Sequence, residues 1–357
     1  MSHDNERACP NPRCADDGKT DKGNVIKFGT FDAQSEPRKR QLCKTCGATF
    51  STNTGSAYFG LRCRRDEFDQ VASMRVEGVS ISAIARIVGR SRSTISRWLE
   101  RAAAAAKRFN DEKLSKFEIK ELQGDELCTF VGDKANTTWL FTIIEVWSRL
   151  WVGSTVGRRS YRNTEATFND VIFRGRPVRP LLVTSDGFEF YETVVGKLIG
   201  VAAVYGQVIK TRRNNRVIRV ERALKMGSKT QLAAALLESE DSATLNTSFV
   251  ERMNLTIRQG SAYLARRSPP HARCASGLCG HIELLKFYYN FGRPHRGLKF
   301  GRVCKTPAMQ AGLADHRLSF RDVFGHSAVS PPRVVVLRFP VRRDPAKFPA
   351  VQGPLAA

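Results

Sequence analysis

The hydrophobic periodicity of the chain changes near residue 120, and this change constrains the fold more than any other feature. Before it, apolar residues recur at helical spacing, and after it they form short runs between polar turns. Strands are predicted at 121–131, 139–146, 151–156, 181–183 and 202–209, with helices at 163–173 and 191–199. A meander, a helix and then a buried strand with an acidic tip predict a mixed α/β sheet, in which sites form beyond the ends of strands.

Three helices are predicted ahead of the sheet. The first spans 66–77, the second follows Ser80, and Gly89 makes a tight turn before a third helix that Ser91 opens. Two helices joined by a short glycine turn are typical of the helix-turn-helix motif, whose last helix enters the major groove of DNA. The residues expected to face DNA are Arg92, Ser93, Thr94, Ser96 and Arg97. The alternative is an ordinary three-helix bundle with a solvated basic face. Five alanines at 102–106 extend the third helix, and the polar stretch 110–120 predicts a linker.

Four of the nine cysteines form two pairs near the N-terminus. Cys9 and Cys14 enclose four residues, and Cys43 and Cys46 enclose two. Such pairs can place four thiolates around one structural Zn²⁺ ion, which would drive the folding of a segment with little apolar core. Unrelated thiols are the alternative. The remaining five form no second set and are expected to be buried: Cys63, Cys128, Cys274, Cys279 and Cys304.

The chain is strongly basic. It has 58 Lys and Arg against 34 Asp and Glu, a net charge of +24, which favours nucleic acid or an acidic membrane surface as partner. No apolar run approaches the ~18 residues of a membrane helix and no signal peptide is evident, so we expect a soluble cytoplasmic protein without membrane contact. Charge is densest at 205–229, where eight basic residues accompany one acid. Arg212, Arg213 and Arg216 are candidate DNA contacts there.

Three carboxylates fall at positions suited to a metal site. Asp125 lies in the first strand, Asp186 follows the buried strand, and Glu251 shares one face of a predicted helix with Asn254 and Arg258. Oxygen ligands suit Mg²⁺, and two ions about 3.5–4 Å apart can activate the attacking oxygen and stabilise the leaving oxygen in phosphoryl transfer. Ordinary surface carboxylates are the alternative.

Several motifs occur in the order seen in bacterial insertion-sequence transposases. They are CKTCGATFS at 43–51, the helix-turn-helix, GDEL at 124–127, TSDG at 184–187, VERMNLTIR at 250–258, and closing segments at 289–298 and 306–309. Over about residues 9–312 the chain resembles the DDE class, especially the insertion-sequence-one group. Members of that group join a zinc ribbon and a helix-turn-helix to an RNase H-like catalytic core.

The resemblance implies a multidomain enzyme. Its parts would be a zinc ribbon at 1–60, an all-α helix-turn-helix domain at 61–110, an α/β RNase H-like catalytic domain at 115–312, and a partly flexible extension at 313–357. Asp125, Asp186 and Glu251 would bind two Mg²⁺ or Mn²⁺ ions. Water would free a 3′-hydroxyl at the element end, and this hydroxyl would attack target DNA. A homo-oligomer on DNA, associated with the bacterial nucleoid and without a small-molecule substrate, is also implied.

Side chains near the predicted triad have expected roles as well. Arg252, Asn254 and Arg258 would contact DNA or orient Glu251, with surface polar residues as the alternative. Glu126 is expected to point to the opposite face of the strand from Asp125, so that only one of the two reaches the site, and Glu145 is the reserve for Asp125. His281 and His295 are expected to be core or phosphate-contacting histidines rather than proton-transfer groups.

Two other functions remain open from the sequence. A DNA-binding regulator would use the zinc module and the helix-turn-helix with an inert sheet domain. A host nuclease of the RNase H type would keep the carboxylates but would not need two DNA-binding modules. Binding without cleavage would indicate the regulator, and cleavage without joining would indicate the nuclease.

Overall fold

A computed structural model describes residues 8–20, 22–32, 37–214, 216–240, 243–265 and 270–326. None of the helices in these ranges is long and apolar enough to span a lipid bilayer. The apolar run at 334–337, which predicts an edge strand after the prolines at 331 and 332, lies outside the described residues.

The N-terminal module is a small antiparallel sheet. Its strands are β1 (Val25–Asp32), β2 (Pro37–Cys43) and β3 (Thr49–Ser51), with β2 in the middle. The cysteine pairs lie in the loop before β1 and at the turn between β2 and β3. In that turn Gly47 adopts a positive φ of 70° and its N–H donates to the carbonyl of Cys43 at 2.8 Å. Three of the cysteines form the centre of the module's small core, against which Val25 and Phe50 pack.

The three predicted helices are present. They are α1 (Arg65–Val76), α2 (Ile81–Val88) and α3 (Arg92–Lys113). The side chains of Ser80 and Ser91 cap α2 and α3 by accepting hydrogen bonds from backbone N–H groups, and Gly89 ends α2 with a φ of 70°. Ile84 and Ile95 are fully buried between the helices. The residues buried between the helices are therefore among those whose apolar spacing predicts the helices.

The prediction of a linker at 110–120 is wrong. α3 continues to Lys113, and β4 (Glu118–Phe130) begins five residues later. The alanine run of α3 packs against α8 (Ala275–Phe287), where a Cβ on Gly280 would lie 3.1 Å from the Cβ of Ala103. Small residues on both helices allow this close approach, and the helical region and the sheet domain consequently share one apolar core.

The second architecture is a six-stranded mixed sheet. After β4, the strands are β5 (Thr137–Glu145), β6 (Trp151–Gly157), β7 (Arg176–Ser185), β8 (Ala203–Arg213) and β9 (Arg216–Met226). The order across the sheet is β6-β5-β4-β7-β8-β9. β4, β5 and β6 form the predicted antiparallel meander, β7 is parallel to both β4 and β8, and β9 is antiparallel to β8. The predicted mixed sheet is confirmed, and β9 is an additional edge strand.

Helices cover both faces of this sheet. They are α4 (Tyr161–Arg174), α5 (Phe190–Leu198), α6 (Lys229–Glu238) and α7 (Ser248–Gln259), followed by α8. On β4, Gln123 accepts hydrogen bonds from backbone N–H groups at the start of α7, whereas Gly124 faces the ring of Tyr191 on α5. Alternate residues of the central strand β4 therefore face α7 and α5.

The C-terminal part of the described chain closes the fold. It contains β10 (Lys299–Phe300), β11 (Val303–Cys304), α9 (Pro307–Gln310) and α10 (Phe320–Gly325). Just before them, Asn290 exchanges two hydrogen bonds with the backbone of Trp151 on β6. On α10, Phe324 is fully buried and its ring centroid lies 5.1 Å from that of Phe68. Phe320, Val323 and Phe324 are therefore part of the core, and the rest of the partly flexible extension expected at 313–357 lies outside the described residues from 327 onward.

Candidate active site and nucleic-acid interface

A pocket of about 830 Å³ opens at the C-terminal end of β7 and contains all three predicted carboxylates. Asp125 is on β4, Asp186 follows β7, and Glu251 is in the first turn of α7. β4 and β7 are parallel, and Gly124 of β4 pairs with Ser185 of β7. Asp125 follows Gly124 and Asp186 follows Ser185. Strand register thus brings together two carboxylates that are distant in sequence.

Asp125 is held by a short hydrogen-bond chain. Its Oδ2 accepts from Nδ2 of Asn254 at 2.8 Å, and the hydroxyl of Thr142 donates to Oδ1 of Asn254 at 2.9 Å. Burial, and then the charge of Asp186, raise the pKa of Asp125 to about 6. A nearby cation would offset both effects, so this arrangement suits a carboxylate that binds a metal ion.

Glu126 also belongs to this carboxylate cluster. Oxygen atoms of Asp125, Glu126 and Asp186 lie within 4.8 Å of one another. The expectation that only one of the two neighbouring acids reaches the site is wrong, because Asp186 lies beyond the end of β7, where side chains from both faces of the sheet reach it. Nη2 of Arg159 is 2.9 Å from Oε2 of Glu126 and 3.7 Å from Oδ2 of Asp186.

The environment of Glu126 resembles that of Asp125. Burial, and then the charge of Asp186, raise the pKa of Glu126 to about 7. A hydrogen bond from the Tyr191 hydroxyl to this carboxylate offsets part of these effects. Three carboxylates whose oxygens lie this close together form an oxygen-only donor set, which fits a hard divalent cation.

Glu251 lines the same pocket but is not a member of the three-carboxylate cluster. Its Oε1 accepts from the hydroxyl of Thr247 at 2.6 Å and forms an ion pair with Nζ of Lys210 on β8. The structure therefore brings the predicted triad into one pocket, and it holds Glu251 by a lysine rather than against the two aspartates.

The other predicted residues of α7 have different positions. Asn254 is buried and Arg258 is half-buried, and both line the pocket. Asn254 donates a hydrogen bond to Asp125 and not to Glu251, the carboxylate that one of its two expected roles would have it orient. Arg252 is exposed on another part of α7 and does not border the pocket.

Glu145 and the two histidines lie outside the pocket. Glu145 is fully buried and accepts hydrogen bonds from the N–H and the hydroxyl of Ser148, so it holds the turn after β5 and is wrong as a reserve ligand. Burial lowers the pKa of His295 to about 4, and its Nε2 lies 3.2 Å from the carbonyl of Tyr289. His281 is 5% exposed. Both histidines occupy the core, one of the two positions expected for them.

The four paired cysteines meet at one point. Sγ of Cys9 lies 3.7 Å from Sγ of Cys46, and Sγ of Cys14 lies 3.8 Å from Sγ of Cys43. A tetrahedron of sulfurs about 2.3 Å from a zinc ion has edges of about 3.8 Å, so these distances fit such a site. Amide groups point at the sulfurs as well: Nδ2 of Asn24 donates to Cys43 at 3.5 Å.

One thiol of this cluster, that of Cys46, has a lowered pKa. A backbone hydrogen bond from Ala48, followed by one from the Asn11 side chain, lowers the pKa of Cys46 to about 6. Three of the four thiols are buried and Cys46 is exposed. Zinc binds thiolates, so this donor set fits the ion.

The expectation of five further buried thiols is largely wrong. Cys63 is buried and Cys304 is half-buried, whereas Cys128, Cys274 and Cys279 are exposed. The first of the exposed three is on β4, and the other two are at the N-cap and in the second turn of α8. Their positions follow from which face of each element packs, which spacing along the chain alone does not indicate.

The predicted DNA-contacting surface is accessible in part. Arg92, Ser93 and Arg97 are exposed on the first turns of α3, while Thr94 and Ser96 are half-buried. The dense basic segment forms the β8–β9 hairpin, where Arg213 and Arg216 are exposed and paired near the tip. The backbone of Arg212 is in β8, but its side chain lies outside the described part. Within this hairpin, Lys210 is the basic residue that lines the carboxylate pocket.

A family model described as a helix-turn-helix domain matches residues 67–102. The match covers α1, α2 and the first half of α3, and a domain of this type is typical of the N-terminal parts of transposases and integrases. It supports DNA binding by this region, as the sequence predicts. A search of curated proteins found no match for the chain.

Three residues in or beside the carboxylate pocket are not among the predicted site residues. Glu126 is set aside by strand alternation, and Arg159 and Lys210 reach the acids only through the packing of separate elements. A weak signal exists for Lys210, because it lies in the most basic segment. None exists for Arg159, whose guanidinium is placed by the rings of Trp139 and Phe188, 4.8 and 4.0 Å away.

Proposed function

We propose that this protein is a DDE-class DNA transposase. It binds the ends of an insertion element, cleaves phosphodiester bonds there and joins the freed 3′-hydroxyl to target DNA. The observation that carries the proposal is the pocket in which Asp125, Asp186 and Glu251 meet beside basic residues. The helix-turn-helix match supplies a separate reason for DNA as the substrate.

The architecture supports the same proposal. An antiparallel meander followed by two parallel strands, with carboxylates on the central strand and after its parallel neighbour, is the layout that an RNase H-like core implies. The four-thiol cluster supports a zinc ribbon with one structural Zn²⁺. Its place ahead of the helix-turn-helix agrees with the insertion-sequence-one group.

The carboxylates fit two Mg²⁺ or Mn²⁺ ions, and we propose Glu126 as a further ligand beside Asp125 and Asp186. Bound ions would supply charge stabilisation and a more acidic attacking oxygen. Asn254 keeps Asp125 oriented, and Arg159 holds the carboxylate of Glu126 towards Asp186. Lys210 is placed to contact a phosphate once Glu251 turns towards a metal ion.

The chemistry has two displacements at phosphorus. In the first, the oxygen of water bonds to phosphorus as the bond to the 3′-oxygen breaks; water gives up a proton to solvent and the leaving 3′-oxygen takes one up, which leaves a 5′-phosphate and a free 3′-hydroxyl. In the second, this 3′-hydroxyl loses its proton and bonds to a target phosphorus, and the 3′-oxygen of the target leaves and takes up a proton. Both steps use only DNA and water as reactants. Because two ends must be joined, the active form would be a homo-oligomer on DNA.

The test is a strand-transfer assay with the full chain. Labelled duplexes carrying the DNA that flanks the gene are incubated with Mg²⁺ or Mn²⁺ and a target plasmid, and cleaved and joined products are separated on a denaturing gel. The proposal predicts joined products that are lost in Asp186→Asn. Glu118→Gln removes an exposed carboxylate at the start of β4, outside the pocket, and should leave the products unchanged.

A helix-turn-helix regulator is the second candidate, because the helix-turn-helix match at residues 67–102 supports DNA binding and requires no catalysis. That function predicts specific binding with no cleavage under any metal condition. Cleavage without joining would indicate a nuclease. Either result would contradict the transposase.

A further inference from the structure

A second pocket, of about 1090 Å³, lies between the helix-turn-helix and α8. We call it the interhelical pocket. Its lining includes residues in the first turns of three helices: Ser82 of α2, Arg92 of α3 and Ser276 of α8. None of these three helices, which are described in full, has an acidic residue in its first turn, and no side chain caps α8. The N-terminal ends of helices carry partial positive charge, so three of them around one space favour an anion.

Arg75 borders the interhelical pocket and is only 2% exposed. Its Nη1 donates to the carbonyl of Val79 at 3.1 Å, and the guanidinium lies 4.1 Å from the ring centroid of Tyr263. Burial lowers the pKa of Arg75 and a hydrogen bond with the Tyr263 side chain offsets part of this; within the described part of the chain, Nη2 has no further hydrogen-bond partner and no carboxylate acts on this pKa. A buried guanidinium without a counterion is unfavourable, so Arg75 is suited to an anionic ligand.

His281 is a second buried polar group at this pocket. It lines the pocket at 5% exposure, and the backbone of Gly260 is the hydrogen-bonding group that acts on its ring. Burial, and then the charge of Arg75, lower its pKa well below the usual value, so the imidazole is neutral. A neutral imidazole offers one donor and one acceptor to a polar ligand.

Charged side chains surround the opening of the interhelical pocket. Arg92, Lys107 and Arg273 are exposed there beside the acids Glu100 and Glu283, and Lys107 pairs with Asp111 at 2.8 Å. The carboxylate of Glu283 already accepts a hydrogen bond from Asn110 on α3 at 2.9 Å. With the buried Arg75 included, the four cations at this pocket exceed the three acids by one, and this favours an anionic ligand.

We propose that the interhelical pocket binds a backbone phosphate of the DNA that the helix-turn-helix recognises. This inference rests on DNA binding in the proposed function but not on catalysis. A helix-turn-helix contacts the sugar-phosphate backbone with its first helix and bases with its second. The first turns of α2 and α3 both border the pocket, and exposed Ser93 and Arg97 continue the surface along α3. A phosphate here would be held by the helix-turn-helix and the sheet domain together.

The test measures the salt dependence of DNA binding without divalent ions, so that cleavage plays no part. Because phosphate contacts are independent of sequence, a fluorescent duplex of arbitrary sequence suffices. Removing a single protein–phosphate interaction should reduce the ratio of Kd at 200 mM salt to Kd at 50 mM salt by about 3.5-fold. We expect this reduction in Arg75→Met and in Arg273→Ala. Arg302→Ala removes one exposed charge from the β10–β11 turn and should keep the wild-type ratio.

Two further measurements separate the proposal from its alternatives. Replacing an unpaired buried cation by Met should keep or raise Tm without DNA, so a large fall in Tm for Arg75→Met would identify a structural arginine and overturn the proposal. Wild-type salt dependence in both pocket variants would also overturn it. Inorganic phosphate and dAMP are added separately to the protein, and a rise in Tm with dAMP, absent in Arg75→Met, would assign the pocket to a free nucleotide instead.

Discussion

Replacing Asp125 with asparagine should stabilise the protein when no divalent ion is added. Asp125 is buried beside Asp186, and these two effects raise its pKa to about 6 from the usual 3.8. The folded state therefore holds the proton of this carboxyl more tightly than the unfolded state does. The stability that this provides is fully present below pH 3.8 and is lost as the pH rises through 6.

The magnitude follows from these two pKa values. At pH 8 the ionised Asp125 disfavours the folded state by about 3 kcal/mol, and at pH 5 by about half as much. Asparagine removes this penalty but loses part of the hydrogen bonding with Asn254, at about 1 kcal/mol. The net gain at pH 8 is about 2 kcal/mol. The difference between pH 8 and pH 5, about 1.5 kcal/mol, does not depend on the hydrogen bond.

Urea unfolding followed by tryptophan fluorescence measures this difference, because three of the four tryptophans, Trp139, Trp147 and Trp151, lie in the sheet domain. Buffers are treated to remove free divalent ions, without a chelator that would take zinc from the thiols. Millimolar Mg²⁺ at pH 8 should stabilise the wild type more than Asp125→Asn. A substitution that destabilises equally at both pH values would refute the reasoning, and Glu118→Gln serves as the exposed control.

Three other predictions concern the zinc module, the helix packing and the DNA surface. Cys43→Ser should lose about one zinc per chain by elemental analysis, whereas substitution of the exposed Cys274 by Ser should keep it. Equal zinc content in both variants would contradict the zinc ribbon. Gly280→Leu should lower stability by about 1–3 kcal/mol in thermal unfolding through contact with Ala103, while Gly280→Ala should be close to neutral because helix propensity offsets the contact. Arg97→Ala should weaken duplex binding several-fold in fluorescence anisotropy, and unchanged affinity would exclude this face of α3.

Elements with a clear local signal could be predicted from the sequence. Serine caps and Gly89 mark the ends of α2 and α3, and buried apolar runs mark β5 and β7, because these signals lie within a few residues of each other. The sequence does not indicate β9. Its exposed valines and isoleucine alternate irregularly with arginines, and it is held by pairing with β8 rather than by burial.

For the candidate site, the sequence predicts which residues are the candidate ligands but not how they are arranged. Asp125, Asp186 and Glu251 follow from motifs, but their separation within the pocket depends on where β4, β7 and α7 end relative to one another. Strand alternation correctly places Glu126 on the other face of β4 from Asp125. It does not account for Asp186 lying beyond the end of its strand, where both faces are within reach. Tertiary geometry therefore decides the membership of the cluster.

The central claim is that the carboxylate pocket binds catalytic metal ions, and crystals of the full chain soaked in Mn²⁺ test it most directly. Anomalous scattering locates manganese without assumptions about ligands. We expect a peak between Asp125 and Asp186, with Glu126 as a further ligand, that disappears in Asp186→Asn. Manganese bound elsewhere, with no peak in this pocket, would contradict the claim.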